Sequence, residues 1–484
     1  VAHNLYTITI VIQFTIVIMT TDRHAGAWMV KMVTGFGKII PLLQRVLIVI
    51  SALAVLRLID AGGSMSMVLM DISIMLALAI AFGCLARWLC QPAVLGEILG
   101  GIILGPTVLG TIAPGTQSWI FPSTGASMQT LHAAAYLGLM AFLFTAGMEV
   151  GLTGIRHRST TTVIASISGI LLPFVLGFGM VVLLPQAWNY PTGDMMIFAA
   201  FMGTALSISA LPVIARVLMD IGILNKDLGA MIVSAATIDD LIGWSLFAVI
   251  LSTLNKGTSL WLNLGLMFGL FAVTAYIIYL DGRYGLNLES SLMGGIIDLL
   301  VVAMLAASIL SESFGGHAIF GVFLAGVIFS HSLERRDLVL KRTYPLVMGV
   351  LAPIYFTSIG LKADFAANFD LAAVLIVFVV ACFGKILGAG IGALASGVSA
   401  RDSLALGLGL NARGAMEIVL ASAALDQGLI DLQTFVALVV MALATTAISG
   451  FALPRLIGTR PLSQNAWEPV PIHELRGSYN YYES

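Results

Sequence analysis

The chain has 484 residues, 59% of them hydrophobic and only 10% charged, against about 25% charged in an ordinary soluble domain. At a net charge of −2, nothing in the balance points to nucleic acid or an anionic partner. The apolar residues fall in many segments of about 20, each able to cross a hydrocarbon core as a helix, so the expected fold class is an all-α polytopic membrane protein embedded in a lipid bilayer.

In chain order, residues 1–66 hold an apolar stretch at 5–20, a basic segment with Arg23, Lys31, Lys38 and Arg45, and a second apolar stretch at 46–59. A basic flank before "VLIVISALAVL" has the form of a signal peptide or an uncleaved anchor. We expect an N-terminal extension here (signal, anchor or extra helix), with Met29 and Met32 as candidate natural starts. Apolar runs read against Gly, Pro and charge then give thirteen spans, near 67–89, 92–112, 127–151, 160–184, 195–220, 228–254, 260–280, 292–312, 317–332, 345–362, 371–398, 403–425 and 431–456. They form a membrane domain over 67–458. The polar stretch 459–484 is expected to be a short cytoplasmic tail, disordered and without a nucleotide-binding or sensor domain.

Lys and Arg test the count, because short cytoplasmic loops are enriched in both. If the first span starts outside, the inward segments hold Arg87, Arg156, Arg158, Arg216, Lys226, Arg283, Arg335, Arg336, Lys341, Arg342, Arg401, Arg455, Arg460 and Arg476, and the outward loops only Lys256 and Lys362. One missing span would invert every loop after it. The expected setting is therefore the plasma (inner) membrane with a cytoplasmic C-terminus. Cys84, Cys90 and Cys382 lie in apolar segments without metal-ligand spacing and read as small core residues.

An ionisable group at membrane depth costs a few kcal/mol and so suggests function. The deep candidates are Asp239, Asp240, Lys385, Arg413, Glu417, Glu97 and Asp298. Asp239 and Asp240, in "SAATIDDLIGW", lie about 100° apart around a helix and cannot both face one partner. One can meet a cation on a neighbouring helix, for which Lys385 is the obvious mate, while the other faces a water-filled cavity. The alternative is a buried salt bridge that only fixes helix register. Two acids against one base leave an excess of negative charge, suited to a dehydrated monovalent cation or a proton.

Two segments read as interrupted helices. In "GTALSISALPVIARVL", Pro212 lies inside a span after Thr204, Ser207 and Ser209, whose hydroxyls can cover freed backbone groups or ligate a cation; an ordinary Pro kink is the plainer alternative. "LGLGLNARGAMEIVL" puts Asn411, Arg413 and Glu417 into another span. Falling fifth and twelfth of thirteen, the pair suits inverted halves whose broken helices cross at the midplane. Arg413 and Glu417, at i, i+4, read as a structural pair that neutralises itself or the helix-end dipoles. Glu97, in a Gly-rich run with small-xxx-small spacing, lines a cavity or pairs locally; Asp298 and Glu312 read as satisfied locally, and His317 as structural.

The blocks "QPAVLGEILGGIILGPTVLG" (91–110), "LGLMAFLFTAGMEVGL" (137–152), "SISALPVIARVL" (207–218), "AATIDDLIGW" (235–244), "GGHAIFGVFLAGVIF" (315–329), "PIYFTSIGLKAD" (353–364) and "LNARGAMEIVL" (410–420) together resemble the second monovalent cation:proton antiporter superfamily. It includes bacterial sodium/proton and potassium/proton antiporters, Kef-type systems and plant cation/proton exchangers. The resemblance, over about 67–456, implies thirteen helices in a dimerisation domain and a core domain with two crossed broken helices, a homodimer, and elevator-like alternating access. It implies Asp240 as main ion and proton ligand, Asp239 paired with Lys385, Ser207 and Ser209 at the first crossover, and Asn411 and Arg413 at the second. In electrogenic members such a set moves two protons per cation. On the expectation of a short tail, gating by a nucleotide domain as in Kef-like systems is not anticipated.

The expected function is thus a secondary antiporter exchanging Na+ or K+ for protons, a transporter and not an enzyme, with these ions as cargo and no cofactor. Alternatives are a cation channel or uniporter, which an interrupted-helix acid site disfavours, and an exporter of a larger cationic compound. An intramembrane aspartyl protease needs carboxylates facing each other from separate helices, which adjacent Asp239 and Asp240 are not.

Overall fold

The computed structural model describes residues 64–88, 92–122, 126–149, 160–224, 226–254, 296–313, 318–332 and 336–458, with single positions at 265, 269 and 276. The expected extension up to residue 63, the tail from 459, most of the span at 260–280, His317 and the side chain of Asp298 lie outside the described residues. The described elements are helices and turns. We number the helices α1 Ser64–Trp88, α2 Ala93–Leu104, α3 Leu109–Ile112, α4 Pro114–Ile120, α5 Ala126–Glu149, α6 Thr160–Leu183, α7 Met195–Ser207, α8 Leu211–Asp220, α9 Asp227–Leu254, α10 Ile296–Ser313, α11 Ala318–Ser332, α12 Arg336–Leu346, α13 Ala352–Lys362, α14 Leu371–Ala395, α15 Ala400–Leu410, α16 Ala415–Asp426 and α17 Leu432–Ile457. A wide turn, Val347–Leu351, joins α12 to α13.

Eight of these segments are long and apolar enough to cross a membrane, and nine if α15 and α16, bent by 44° at their break, count as one. The span expected at 92–112 is met by Ala93–Ile112, a stretch long and apolar enough to cross, within which α2 ends at Leu104 and a turn precedes α3. The one expected at 345–362 begins earlier, at Val339.

The chain divides into two compact units, one of Val1–Ala133 with Phe356–Asn368 and one of Ala134–Tyr355 with Phe369–Ser484. In the first, α1 and α2 pack as an antiparallel pair. Thr357 of α13 donates its hydroxyl to the Glu97 carbonyl at 3.3 Å, and the Glu97 side chain is buried. In the second, α6 lies along α14, and α7, α9, α15 and α17 gather around them.

Carboxylates start three of this unit's helices by accepting from first-turn amides that have no partner within their helix. Asp194 accepts from Met196 and Ile197 at 2.9 and 3.1 Å, Asp370 from Ala372 at 2.8 Å, and Asp431 from Thr434 at 2.9 Å. The close α6–α14 approach rests on Gly384, Gly388 and Gly392, four apart on one face of α14. A Cβ at Gly388 would meet the Ser168 carbonyl oxygen at 2.5 Å, so backbones pack directly there. A second face of α14, about 100° around the helix, presents Leu375, Val379, Phe383, Leu387 and Ile391 outward, the apolar surface expected of a helix in lipid. This packing brings mid-span residues of α6, α9 and α14 together with the two helix breaks.

Candidate functional site

The site lies where two broken helices cross inside the second unit. The first break, at residues 208–210, separates α7 from α8. Pro212 is therefore not a kink within a continuous helix: it occupies the first turn of α8, where its missing N–H is harmless. The second break, at 411–414, separates α15 from α16. The breaks bond each other through the backbone, Ala210 N to Ala412 O at 3.2 Å. Gly243 of α9 faces the first break so closely that any Cβ would overlap the Ile208 side chain.

Asp239, Asp240, Lys385 and Arg413 are each 0% exposed. Asp239 has donors on both carboxylate oxygens. Lys385 Nζ lies 2.5 Å from its Oδ2, the Ser209 hydroxyl 2.8 Å from the same oxygen, and the Ser166 hydroxyl 2.7 Å from Oδ1. Each hydroxyl has one proton to give, so the contacts of Ser209 with the Leu410 carbonyl at 2.8 Å and of Ser166 with the Ala235 carbonyl at 3.3 Å are alternatives to the carboxylate. Lys385 Nζ also donates to the Ser207 carbonyl at 2.5 Å, neutralising the negative end of the α7 dipole.

Asp240 has the opposite environment. Both its carboxylate oxygens are buried without a hydrogen-bond partner among the described residues. The backbone amide of Leu211, at the N-terminus of α8, approaches this carboxylate as a weak hydrogen-bond donor outside strict hydrogen-bond geometry. The positive end of a half-helix thus faces an acid with open lone pairs. The Asn411 side-chain carbonyl, in the second break, is likewise buried and unpartnered, while its amide nitrogen approaches Cys382 Sγ at 3.6 Å.

Arg413 does more than neutralise Glu417. Its Nη1 lies 3.3 Å from Glu417 Oε1 and 2.9 Å from the Ala205 carbonyl, and Nη2 donates to the Leu206 carbonyl. Thr446 of α17 in turn donates to the Arg413 carbonyl. The guanidinium crosses from the second break to the C-terminal turn of α7 and satisfies carbonyls the break leaves open. Thr204 and Ser207 turn inward on their own helix, donating to Ala200 O and Thr204 O, both at 2.8 Å. Of the three hydroxyls expected to serve the crossover, the structure brings only Ser209 to the acids. Ser166 gives no signal in the sequence, since a serine in an apolar helix acquires meaning only from its partner in space.

A buried, partly unsatisfied charge cluster at the crossing of two interrupted apolar helices defines a polytopic membrane protein built around an intramembrane ionic site. The family model described as "Sodium/hydrogen exchanger, transmembrane" matches residues 72–458, and the chain belongs to that family of integral membrane antiporters. It is 34% identical over 372 residues to Cation/H(+) antiporter 19 of Arabidopsis thaliana, covering 74% of this chain and 46% of that protein. Against the Na(+)/H(+) antiporter NhaS4 of Synechocystis sp. it is 28% identical, with 84% and 98% covered. For the K(+)/H(+) antiporter 1 of Saccharomyces cerevisiae the figures are 28%, 74% and 43%. The chain spans about half the length of the plant relatives it matches.

Proposed function

We propose that the protein is a secondary antiporter in which a monovalent cation, Na+ or K+, and protons take turns on Asp240, exposed to the two sides of the membrane by alternating access. The observation that carries this reading is the contrast between neighbouring acids: Asp239 has three donors, whereas Asp240 is fully buried with both oxygens open. A buried carboxylate without a partner is costly unless it accepts a proton or a cation. Asn411 Oδ1 supplies a neutral oxygen at the same crossover, and the Leu211 amide favours the negative charge on which both cargoes depend. Asp239 and Lys385 form the fixed pair beside the site, Ser209 holds the first break to Asp239, and Arg413 ties the half-helices together. The names of the relatives, which span Na+/H+ and K+/H+ exchange, support a monovalent cargo. A homodimer in the plasma (inner) membrane with its C-terminus inside completes the proposal.

In proteoliposomes with an entrapped pH dye, cation pulses should drive proton flux in wild type. Competition for one carboxylate should raise the apparent Km for the cation as the pH falls. Asp240→Asn should abolish the flux in a folded protein, and flux that persists in that variant would refute the assignment.

A further inference from the structure

One turn after Asp240 on α9 stands Trp244, 1% exposed. Its indole Nε1 is buried and unpartnered among the described residues. Buried indole N–H groups usually find an acceptor, and leaving one unmade costs about 1–3 kcal/mol. Here an orphan donor and an orphan acceptor are four residues apart on one helix. Side chains at i and i+4 share a face, and each leans toward the helix N-terminus, so the indole of Trp244 leans over the turn that carries Asp240. The ring is also fixed. It stacks on Phe323 at 5.8 Å and 27° and meets Phe247 edge-on at 6.1 Å, while Phe247 packs on Phe201 at 6.0 Å. Phe323 covers one face of the indole, so the polar feature Trp244 retains is its N–H.

We propose that Trp244 is a positioning residue for the cation site: its Nε1–H donates to one lone pair of the ionised Asp240 carboxylate when a cation occupies the other oxygen, fixing the rotamer in which the ion is held. A carboxylate has about four lone-pair positions, so the indole and the ion do not compete. Donors that orient a metal ligand without touching the metal are typically worth about 10–100-fold in affinity. The aromatic cluster keeps the donor in place and excludes water that would otherwise supply an equivalent bond. This proposal rests on the reading of Asp240 given above.

The test is the concentration dependence of cation-driven proton flux in proteoliposomes for wild type, Trp244→Phe and Trp244→Tyr, with the isosteric benzothienyl-alanine at position 244, which replaces only the N–H by sulfur, as a variant that preserves packing. Loss of the N–H should raise the apparent Km for the cation about tenfold with the maximal rate little changed, in the sulfur isostere as in Trp244→Phe. Trp244→Tyr, which restores an O–H donor, should fall between Trp244→Phe and wild type. An unchanged Km in the isostere would overturn the proposal. So would equal Km values for Phe and Tyr with a wild-type Km for the isostere, which would make the ring a packing element. Flux that persists in Asp240→Asn would instead refute the underlying site assignment, whatever position 244 does.

Discussion

Replacing Lys385 by methionine keeps most of the apolar stem and deletes the ammonium, with its charge and its N–H donors. In the structure this removes one of three donors from a carboxylate that is 0% exposed and leaves the Ser207 carbonyl without its donor at 2.5 Å. Breaking one side of a buried ion pair costs about 3–5 kcal/mol. The two hydroxyls that stay on Asp239, at 2.7 and 2.8 Å, hold the expectation near the bottom of that range, about 3 kcal/mol, and the orphaned carbonyl adds about 1 kcal/mol. At about 2 °C per kcal/mol for a large chain, Tm should fall by roughly 6–8 °C, read by thermal unfolding in detergent. The same change in an Asp239→Asn background should cost about 2 kcal/mol less, since the stranded charge is then absent. A Lys385→Met protein that melts with wild type, or a double variant whose loss equals the sum of the single losses, would refute the pairing.

Two further outcomes separate scaffold from ligand. Ser166→Ala should lower stability by about 1–2 kcal/mol through the lost charge-assisted hydrogen bond to Asp239, measurable by the same unfolding assay, while cation-driven proton flux survives; lost flux at unchanged stability would place Ser166 on the ion path. Arg413→Ala should destabilise more than Glu417→Gln, because the arginine also holds the Ala205 and Leu206 carbonyls at the end of α7, and equal Tm losses would mean that the Glu417 contact is its main role.

Much of the site is written in the sequence because burying charge is so costly that few residues do it without cause. Asp239, Asp240, Lys385 and Arg413 stand out in apolar runs by composition alone. The adjacency of two acids on one helix already requires different partners. The identity of the breaks is harder to read. Pro212 marks the neighbourhood of the first, but its missing N–H is as compatible with a kink as with the first turn of a new helix, and only the backbone distinguishes them. Serines are ambiguous for a similar reason. Ser207 and Ser209 are two residues apart and alike in sequence, yet one bonds Thr204 of its own helix and the other reaches Asp239. Ser166 and Trp244 acquire meaning only from what lies beside them across or along helices.

The two breaks are joined by the Ala210–Ala412 backbone bond and by the Arg413 guanidinium, which reaches the Ala205 and Leu206 carbonyls. A seam closed by main chain on one side and a buried cation on the other can be carried but not flexed without stranding several polar groups in hydrocarbon. The crossing beside Asp240 is therefore braced as one block. Under the proposed alternating access, the crossing would move whole, with its sliding surfaces among the apolar flanks, where displacement breaks no hydrogen bonds.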